Sequence, residues 1–527
     1  MKHLLCLACL LSALALATPP PGPLANTKTP FGNNLLDDLS AAIERALHAW
    51  DMDEARRLMV QVEELNLQGL ALLHYVRGRM AFQLGLYDEA VDAFVIAGQE
   101  DKPNTFLRLA NAGKRFLKTA QRFESENFVL FVPKGKQAAL AGYALEVLEA
   151  QQAALKVDLG GASREKLRIE VATNARELAE LSGVPLEKLL NANEVAFCTF
   201  GKMVFLSPSA LRGGFEWQNS LAQAYVHCAV TRQTRNKAPP GVHKALGAYL
   251  HSRWQNPAPP PLPNAPWAAL QQHMRTSNTL LFEKPADNPR TAQLAFAEGF
   301  LLMEHVYNQQ GPQAFGRLLE KLSQHGDAQR AMAELSHMPW ARWKQQFRSQ
   351  VLARRFPSAA QPSPAEGTTP SNPALLRQLR LATLYANNQR HEAAAWHYAK
   401  AWALGGQNHP SVAQGYVQVL LSLARFEEAE RVLAASLLQE APASMWVSLG
   451  KLRLHQTQWA KAQKAFERAL AQNPFLPELH LGLFAAAKAQ GNTALAKRAQ
   501  EAAALLLETT PEAVVDMAKT LGISGGP

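Results

Sequence analysis

Four alanines in the C-terminal part of the chain recur at a nearly constant spacing. Ala394, Ala429, Ala462 and Ala496 are separated by 35, 33 and 34 residues. This period matches one pair of antiparallel helices with its turns, and such pairs bury their apolar faces only against neighbouring pairs. Four copies in phase make unrelated amphipathic helices a poor explanation. The spacing therefore constrains this region to a stack of helical hairpins.

The residues around the third alanine give the repeat a more specific character. They resemble the signature of a tetratricopeptide repeat, in which small residues let two helices approach and large ones fill the gap; the matching residues are Trp446, Leu449, Gly450, Trp459, Ala462, Phe466, Ala469 and Pro474. Ala55 and Ala90 lie 35 residues apart near the N-terminus. The better N-terminal copy runs from Leu72 to Gly98. Such repeats imply protein or peptide partners and specify no chemistry.

The first 17 residues have the pattern of an export signal. Lys2 and His3 precede the almost wholly apolar run Leu4–Leu16, and the run ends in a small-x-small cleavage pattern. A membrane span needs about 20 residues, so we prefer a cleaved signal to an uncleaved anchor. The Pro-rich residues that follow indicate an extended tether. We expect a periplasmic protein, with full secretion as the alternative and no integral membrane segment after cleavage.

Composition narrows the class of protein further. The chain has 527 residues, 47% hydrophobic and 19% charged, which excludes wholly disordered and small disulfide-scaffold classes. The formal net charge is +10, but the basic residues form no run of five or six. This charge favours loose attraction to anionic surfaces, and we expect no nucleic-acid partner.

The middle of the chain changes from helical repeats to a mixed pattern. Four short β-branched and aromatic runs predict strands, at Asn127–Pro133, Leu167–Thr173, Val195–Thr199 and Lys202–Ser207. Helical patterns lie between and after them, including Glu216–Gln233 and Gly241–Trp254. The predicted fold class is an α+β middle domain between α-helical solenoids, predominantly α overall.

The order of strand, strand, Ser-Pro, helix, Pro turn and helix resembles the peptidase MA-like domain of gluzincin zinc metallopeptidases. The resemblance covers about 125–355 and is firmest over Leu221–Trp254. It implies the gluzincin fold for this domain. In active members, H-E-x-x-H on one helix supplies two zinc ligands and a general base, and a Glu on the next helix is the third ligand.

Three of the four motif positions hold residues unsuited to this chemistry. By the resemblance, Gln223 stands at the first His, Ala224 at the general base and Lys244 at the third ligand, while His227 is retained. Gln is a weak zinc ligand, Ala cannot accept a proton, and Lys places a cation where the ion would sit. We therefore expect no metal, no cofactor and no catalytic residue. Zinc enters only in the alternative, an active metallopeptidase with an unorthodox site.

The histidines and Lys244 of this region have two further conceivable roles. A relocated metal site using His227, His243 and Cys228 is disfavoured, because adjacent helical residues point about 100° apart. Lys244 is expected to replace the metal structurally, with its ammonium bonded to His227 and Gln223; the alternative is a Lys244 that extends to solvent.

Two of the four cysteines, Cys198 and Cys228, remain after signal cleavage. Outside the cytosol they can form a disulfide, and two buried free thiols are the alternative.

The predicted organisation has seven parts. They are a signal peptide (1–17), a Pro-rich tether (18–34), N-terminal repeats (35–124), the gluzincin-like domain (125–356), a Pro-rich linker (357–373), C-terminal repeats (374–510) and a tail (511–527). We expect a protein-binding or scaffolding role, with the old substrate cleft able to hold an extended peptide by strand addition. A middle domain that only spaces the repeats is a further alternative.

Overall fold

The computed structural model describes residues 33–65, 71–98, 104–160, 165–192, 194–211, 213–256, 262, 266–283, 288–356, 372–436 and 441–520. The expected signal peptide and almost all of the tether and linker lie outside these residues. The described part is predominantly helical and contains one small mixed sheet. None of its helices combines the length and the apolar character that crossing a membrane requires.

The described residues of the N-terminal part form five helices, namely α1 (Asn33–His48), α2 (Met52–Glu64), α3 (Ala71–Leu84), α4 (Tyr87–Ile96) and α5 (Thr105–Thr119). They pack as successive neighbours, α1 on α2 and α3 on α4. An ideal Cβ at Gly78 would lie 2.7 Å from Phe94 Cδ1, so α3 and α4 approach this closely because position 78 has no side chain. The close helix packing predicted from small and large residues is thus confirmed here.

The middle part contains a five-stranded sheet, with strands β1 (Ala120–Glu124), β2 (Phe128–Pro133), β3 (Leu167–Ala172), β4 (Ala196–Thr199) and β5 (Lys202–Leu206). The strand order is β1-β2-β3-β5-β4, with parallel β2, β3 and β5 and an antiparallel strand at each edge. The four predicted strands are present. The sheet begins within the range assigned to the N-terminal repeats, because the half-exposed edge strand β1 lacks an apolar alternation.

Within the described segments of the middle part, ten helices accompany this sheet: α6 (Ala141–Leu159), α7 (Ala175–Ser182), α8 (Leu186–Ala192), α9 (Trp217–Gln233), α10 (Pro240–Leu250), α11 (Trp267–Thr276), α12 (Pro289–Gln310), α13 (Ala314–His325), α14 (Ala328–Ser336) and α15 (Trp340–Ala353). Ile169 and Phe205 on one face of the sheet belong to the core that α6, α9 and α10 complete. Val204 and Leu206 on the opposite face pack with α5 and α7. The sheet is therefore covered on both faces.

In the C-terminal part, residues 372–436 and 441–520 contain nine helices: α16 (Pro373–Asn387), α17 (His391–Ala403), α18 (Pro410–Ser422), α19 (Phe426–Ser436), α20 (Ala443–His455), α21 (Trp459–Gln472), α22 (Pro477–Ala489), α23 (Thr493–Leu507) and α24 (Pro511–Thr520). Ideal Cβ atoms at Gly450 and Gly482 would lie 2.5 and 2.1 Å from the Phe466 ring. This aromatic ring fills the space between three helices, as the repeat pattern predicts. The predicted tail contains helix α24, which buries Val514 and packs on α22 and α23.

The C-terminal repeats do not form one separate body. Helices α16–α19 share a core with one side of α20, whereas the other side of α20 and helices α21–α24 contribute to the core of the middle part. The Trp217 indole N–H donates to the Leu470 carbonyl at 2.7 Å, and Tyr143 Oη lies 3.2 Å from His480 Nδ1. His480 Nε2 lies 2.6 Å from the Pro474 carbonyl, so the imidazole donates there and accepts from Tyr143.

A buried charge cluster joins the N-terminal repeats to the sheet. Glu170 on β3 is fully buried, and Lys202 on β5 lies 2.5 Å from it with a side-chain exposure of 5%. Arg168 pairs with the same carboxylate, and Tyr87 on α4 donates its hydroxyl to it at 2.6 Å. Burial opposes ionisation, but Lys202 and Arg168 outweigh it and lower the pKa of Glu170 to about 2.

Candidate functional site

The motif predicted from the sequence lies on α9 and α10, in the centre of the middle part. Helix α10 begins with Pro240 after Pro239, and a proline in the first helical turn sacrifices no helix hydrogen bond. The start of α9 is fixed from the C-terminal repeats by the Trp217 bond, and by the Phe215 amide, which donates to the Gln472 carbonyl at 2.9 Å. The start of α9 is thus anchored to the C-terminal repeats.

The motif residues are covered by surrounding structure. Gln223 and His227 are each 6% exposed, and Ala224 is 7% exposed. His243 on α10 is fully buried, and Lys244 beside it is half-buried. The structure therefore brings Gln223 and His227 to the face of α9 against α10.

Gly247 is the residue of α10 that meets this pair. An ideal Cβ at position 247 would lie 2.5 Å from His227 Nε2 and 3.2 Å from Gln223 Cγ. Real Cβ atoms do not approach a ring nitrogen that closely, so the glycine permits the contact between α9 and α10. Gly247 was not predicted from the sequence, although a glycine inside a helix costs about 1 kcal/mol relative to alanine and indicates a close approach.

His227 and His243 form a buried pair of imidazoles, with ring centroids 5.8 Å apart. His227 Nε2 and both ring nitrogens of His243 make no hydrogen bond of good geometry within the described part of the chain. Burial, reinforced by the charges of His243 and Lys244, lowers the pKa of His227 to about 3. Burial also lowers the pKa of His243 to about 4, and the nearby backbone carbonyls of His227 and Ala238 partly offset this downward shift. Both rings are neutral at pH 7.

Lys244 does not hold His227 in the way that the sequence suggested. Its ammonium donates no hydrogen bond to His227, whose Nε2 faces Gly247 instead. Burial lowers the pKa of Lys244, and the attraction of Glu194 opposes that shift. The hypothesis that Lys244 bridges the two helices through His227 is therefore wrong. It failed because Gly247, one turn further along α10, has no side chain, so the backbone of α10 itself lies against His227.

The residues around His227 do not fit a zinc ion. Zinc binds imidazole nitrogen at about 2.0–2.1 Å and needs three or four good ligands. The backbone of Gly247 lies against His227 Nε2, and the positive charge of Lys244 acts on the same ring. Among the described residues, no three His, Cys, Asp or Glu side chains converge in an arrangement that could hold a metal. The absence of a bound metal stays a prediction from these residues.

Cys198 and Cys228 are joined by a disulfide, with Cα atoms 5.5 Å apart. The bond connects edge strand β4 to α9 one residue after His227, where Cys228 is fully buried. Because helical neighbours point about 100° apart, Cys228 faces the sheet while His227 faces α10.

The buried imidazoles predict a loss of stability in acid. A histidine in the unfolded chain has a pKa near 6.5, whereas His243 in the folded protein has a pKa of about 4. Between these pH values the unfolded chain binds a proton that the folded protein does not, so acid favours unfolding. The contribution of neutral His243 to the free energy of unfolding is therefore full well above pH 6.5 and decreases as the pH falls towards 4. We expect wild type to lose about 2 kcal/mol more than His243→Leu between pH 7 and pH 5. Urea unfolding at both pH values measures this difference, and equal losses would contradict it.

No protein-family model matches this chain, and no curated protein matches it. Among solved structures, it is similar to the crystal structure of yeast Tom70 at 12% sequence identity and a TM-score of 0.25. The alignment covers 93% of this chain and 96% of that chain. The helical-hairpin packing of this chain is established by its own glycine and aromatic contacts, such as Gly450 against Phe466.

Proposed function

We propose that this chain is an exported, non-catalytic protein-binding module. Helical repeats flank a gluzincin-like α+β domain that has lost its zinc site and acts as the rigid centre of a scaffold. The observation that carries the proposal is the closed contact of His227 and Gln223 with Gly247. At the motif positions, α9 supplies no general base and α10 supplies no third ligand. Loss of a general base alone costs about 100-fold or more in rate.

The disulfide supports the exported part of the proposal. Disulfides persist in oxidising compartments and are rare in the cytosol. The bond between Cys198 and Cys228 fits the periplasm or the exterior better than a reducing environment. It agrees with the apolar run Leu4–Leu16 at the start of the chain.

The C-terminal repeats offer an apolar surface to a protein partner. Leu384 on α16 and Trp396 on α17 are 57% and 55% exposed. Aromatic residues of this kind are the common anchors of protein interfaces. The ammonium of Lys400 lies 3.5 Å from the centre of the Trp396 ring, yet more than half of this residue stays exposed. We propose this first C-terminal hairpin as the partner-binding surface.

The edge strand β4 offers a second place for a peptide. The Leu206 amide donates to the Val195 carbonyl at 2.7 Å, and Phe197 pairs with Val204 in the same register. Antiparallel pairing alternates, so the backbone groups of Ala196 and Cys198 point away from β5. An added strand would bond to those groups.

Point variants test the proposal better than truncation, because α20–α24 share a core with the middle part. We propose cross-linking in periplasm of the source cells, followed by mass spectrometry, for wild type, Trp396→Ser and Leu505→Ser. Leu505 on α23 is also exposed, at 41%, and serves as the matched control. We expect a reproducible partner to be lost with Trp396→Ser and kept with Leu505→Ser. Equal capture by all three proteins would overturn the proposed surface.

The enzyme alternative remains separate from this test. An active zinc peptidase would hold one equivalent of zinc and lose its activity to a chelator. A middle domain that only spaces the repeats would capture the same partner after charge reversal in the old substrate cleft.

A further inference from the structure

A cleft of about 640 Å³ lies between the first helical hairpin and the middle part. It is bordered by the turn between α1 and α2, by α6, by the start of β3 and by α9. Tyr225 and Arg232 of α9 line it, and at 100° per residue they lie on the side of the helix opposite Gln223 and His227. The cleft is therefore distinct from the motif site.

The lining of the cleft carries an excess of positive charge. Three carboxylates are present against twice as many cationic side chains, which are Arg56, Lys156, Lys166, Arg168, Arg232 and Arg235. A concave surface lined by one sign of charge concentrates ligands of the opposite sign. The chain as a whole adds to this attraction with a formal net charge of +10.

Most of these cations already have a carboxylate partner. Arg56 lies 2.5 Å from Glu165, and Lys166 lies 2.6 Å from Glu124. Arg168 pairs with the buried Glu170. Arg235 is 3.9 Å from the nearest Asp51 oxygen, at the limit of an ion pair. These four side chains are largely occupied by the protein itself.

Arg232 and Lys156 differ from the other four because neither forms an ion pair within the described residues. The only hydrogen bond that Arg232 donates there goes to the Glu165 carbonyl at 3.3 Å, and its guanidinium lies 5.9 Å from the centre of the Trp50 ring. The nearby Glu165 carboxylate is taken by Arg56. Burial lowers the pKa of Arg232, although Tyr225 and Glu165 oppose the shift. A guanidinium carries five N–H donors, so most of those on Arg232 are left for a ligand.

We propose that this cleft binds a small anionic ligand through Arg232 and Lys156, with a carboxylate or phosphate group as the recognised chemistry. The planar fork of arginine matches both groups in a bidentate contact. A volume of about 640 Å³ is in the range of small-ligand sites and fits a short acidic peptide or a diphosphate-sized compound. The exposed Lys156 on α6 supplies a second positive charge from the adjacent helix.

The test is isothermal titration of the full-length protein with three probes, namely tri-glutamate, inorganic pyrophosphate and tri-glutamine as the neutral control. We expect binding of at least one acidic probe, weakened by added salt, and none of tri-glutamine. Arg232→Gln should weaken that binding by about tenfold or more, because a hydrogen bond to a charged group contributes about 1.5–3 kcal/mol. Preference for tri-glutamate or for pyrophosphate identifies the source of the anionic group.

Two further variants protect the test against misfolding. Lys156→Gln changes an exposed side chain and should weaken binding by about threefold, as expected for an exposed charge. Lys497 on α23 is 79% exposed and does not line the cleft, so Lys497→Gln should leave binding unchanged. Equal binding of tri-glutamine, no binding of either acidic probe, or unchanged binding in both cleft variants would overturn the proposal. The result does not depend on whether the repeats bind a protein.

Discussion

Glu170→Gln is expected to lower the free energy of unfolding by about 3–5 kcal/mol, because it leaves buried cations without their counter-charge. The Glu170 carboxylate is fully buried and accepts from Lys202, Arg168 and Tyr87. Glutamine has nearly the same shape, so the loss measures the charge rather than a cavity. Guanidinium unfolding followed by circular dichroism gives the difference directly.

Glu124→Gln is the matched control for this prediction. Glu124 also pairs with two cations, Arg122 and Lys166, but its side chain is 36% exposed. Water screens such a pair, so the substitution should change stability little. If both variants unfold at the same denaturant concentration as wild type, the charge cluster does not hold the N-terminal repeats to the sheet.

Removal of the disulfide is expected to cost about 3–4 kcal/mol. Cys198 and Cys228 are 30 residues apart in sequence, and the loop entropy that a cross-link of this size removes from the unfolded chain gives that magnitude. The double variant Cys198→Ala/Cys228→Ala should therefore unfold at lower denaturant than wild type. The two curves can be compared with and without a reducing agent.

The reducing agent supplies the internal control. Wild type should fall to the stability of the double variant when reduced, while the variant itself should not change. A thiol assay of denatured, unreduced wild type should find neither Cys198 nor Cys228 free. Two free thiols would show that the pair is not oxidised in the purified protein.

Local patterns were enough to predict most of the secondary structure. The expected strand at Leu167–Thr173 appears as β3, and the expected helix Glu216–Gln233 appears as α9. Strand β1 was missed because its sequence, Ala-Gln-Arg-Phe-Glu, is mostly polar and its residues are only half-covered. A strand at the edge of a sheet gives a weak alternation signal.

Long-range packing could not be predicted in the same way. Glu170 alternates with Ile169 and Val171 along β3, so the sequence suggests a solvent-facing side chain. Tyr87, from a helix far earlier in the chain, covers it instead. The bond between Trp217 and Leu470 spans 253 residues, and nothing local to either residue indicates it. Tertiary contacts of this kind follow from the whole chain.

The sequence was enough to place the motif positions on their helices, but it did not reveal which residues surround them. Gln223 and His227 share a helix face because they are four residues apart. The partner opposite them is Gly247, where the resemblance pointed to Lys244. A residue without a side chain carries no chemical signature, so its role emerges only from the distance between α9 and α10.

The most direct test of the central claim is the metal content of the full-length protein, purified without chelators and measured by inductively coupled plasma mass spectrometry. The closed contact at Gly247 and the charge of Lys244 predict zinc far below one equivalent, with the same value in wild type and His227→Ala. One equivalent of zinc in wild type that disappears in His227→Ala would show that the helices hold an ion after all.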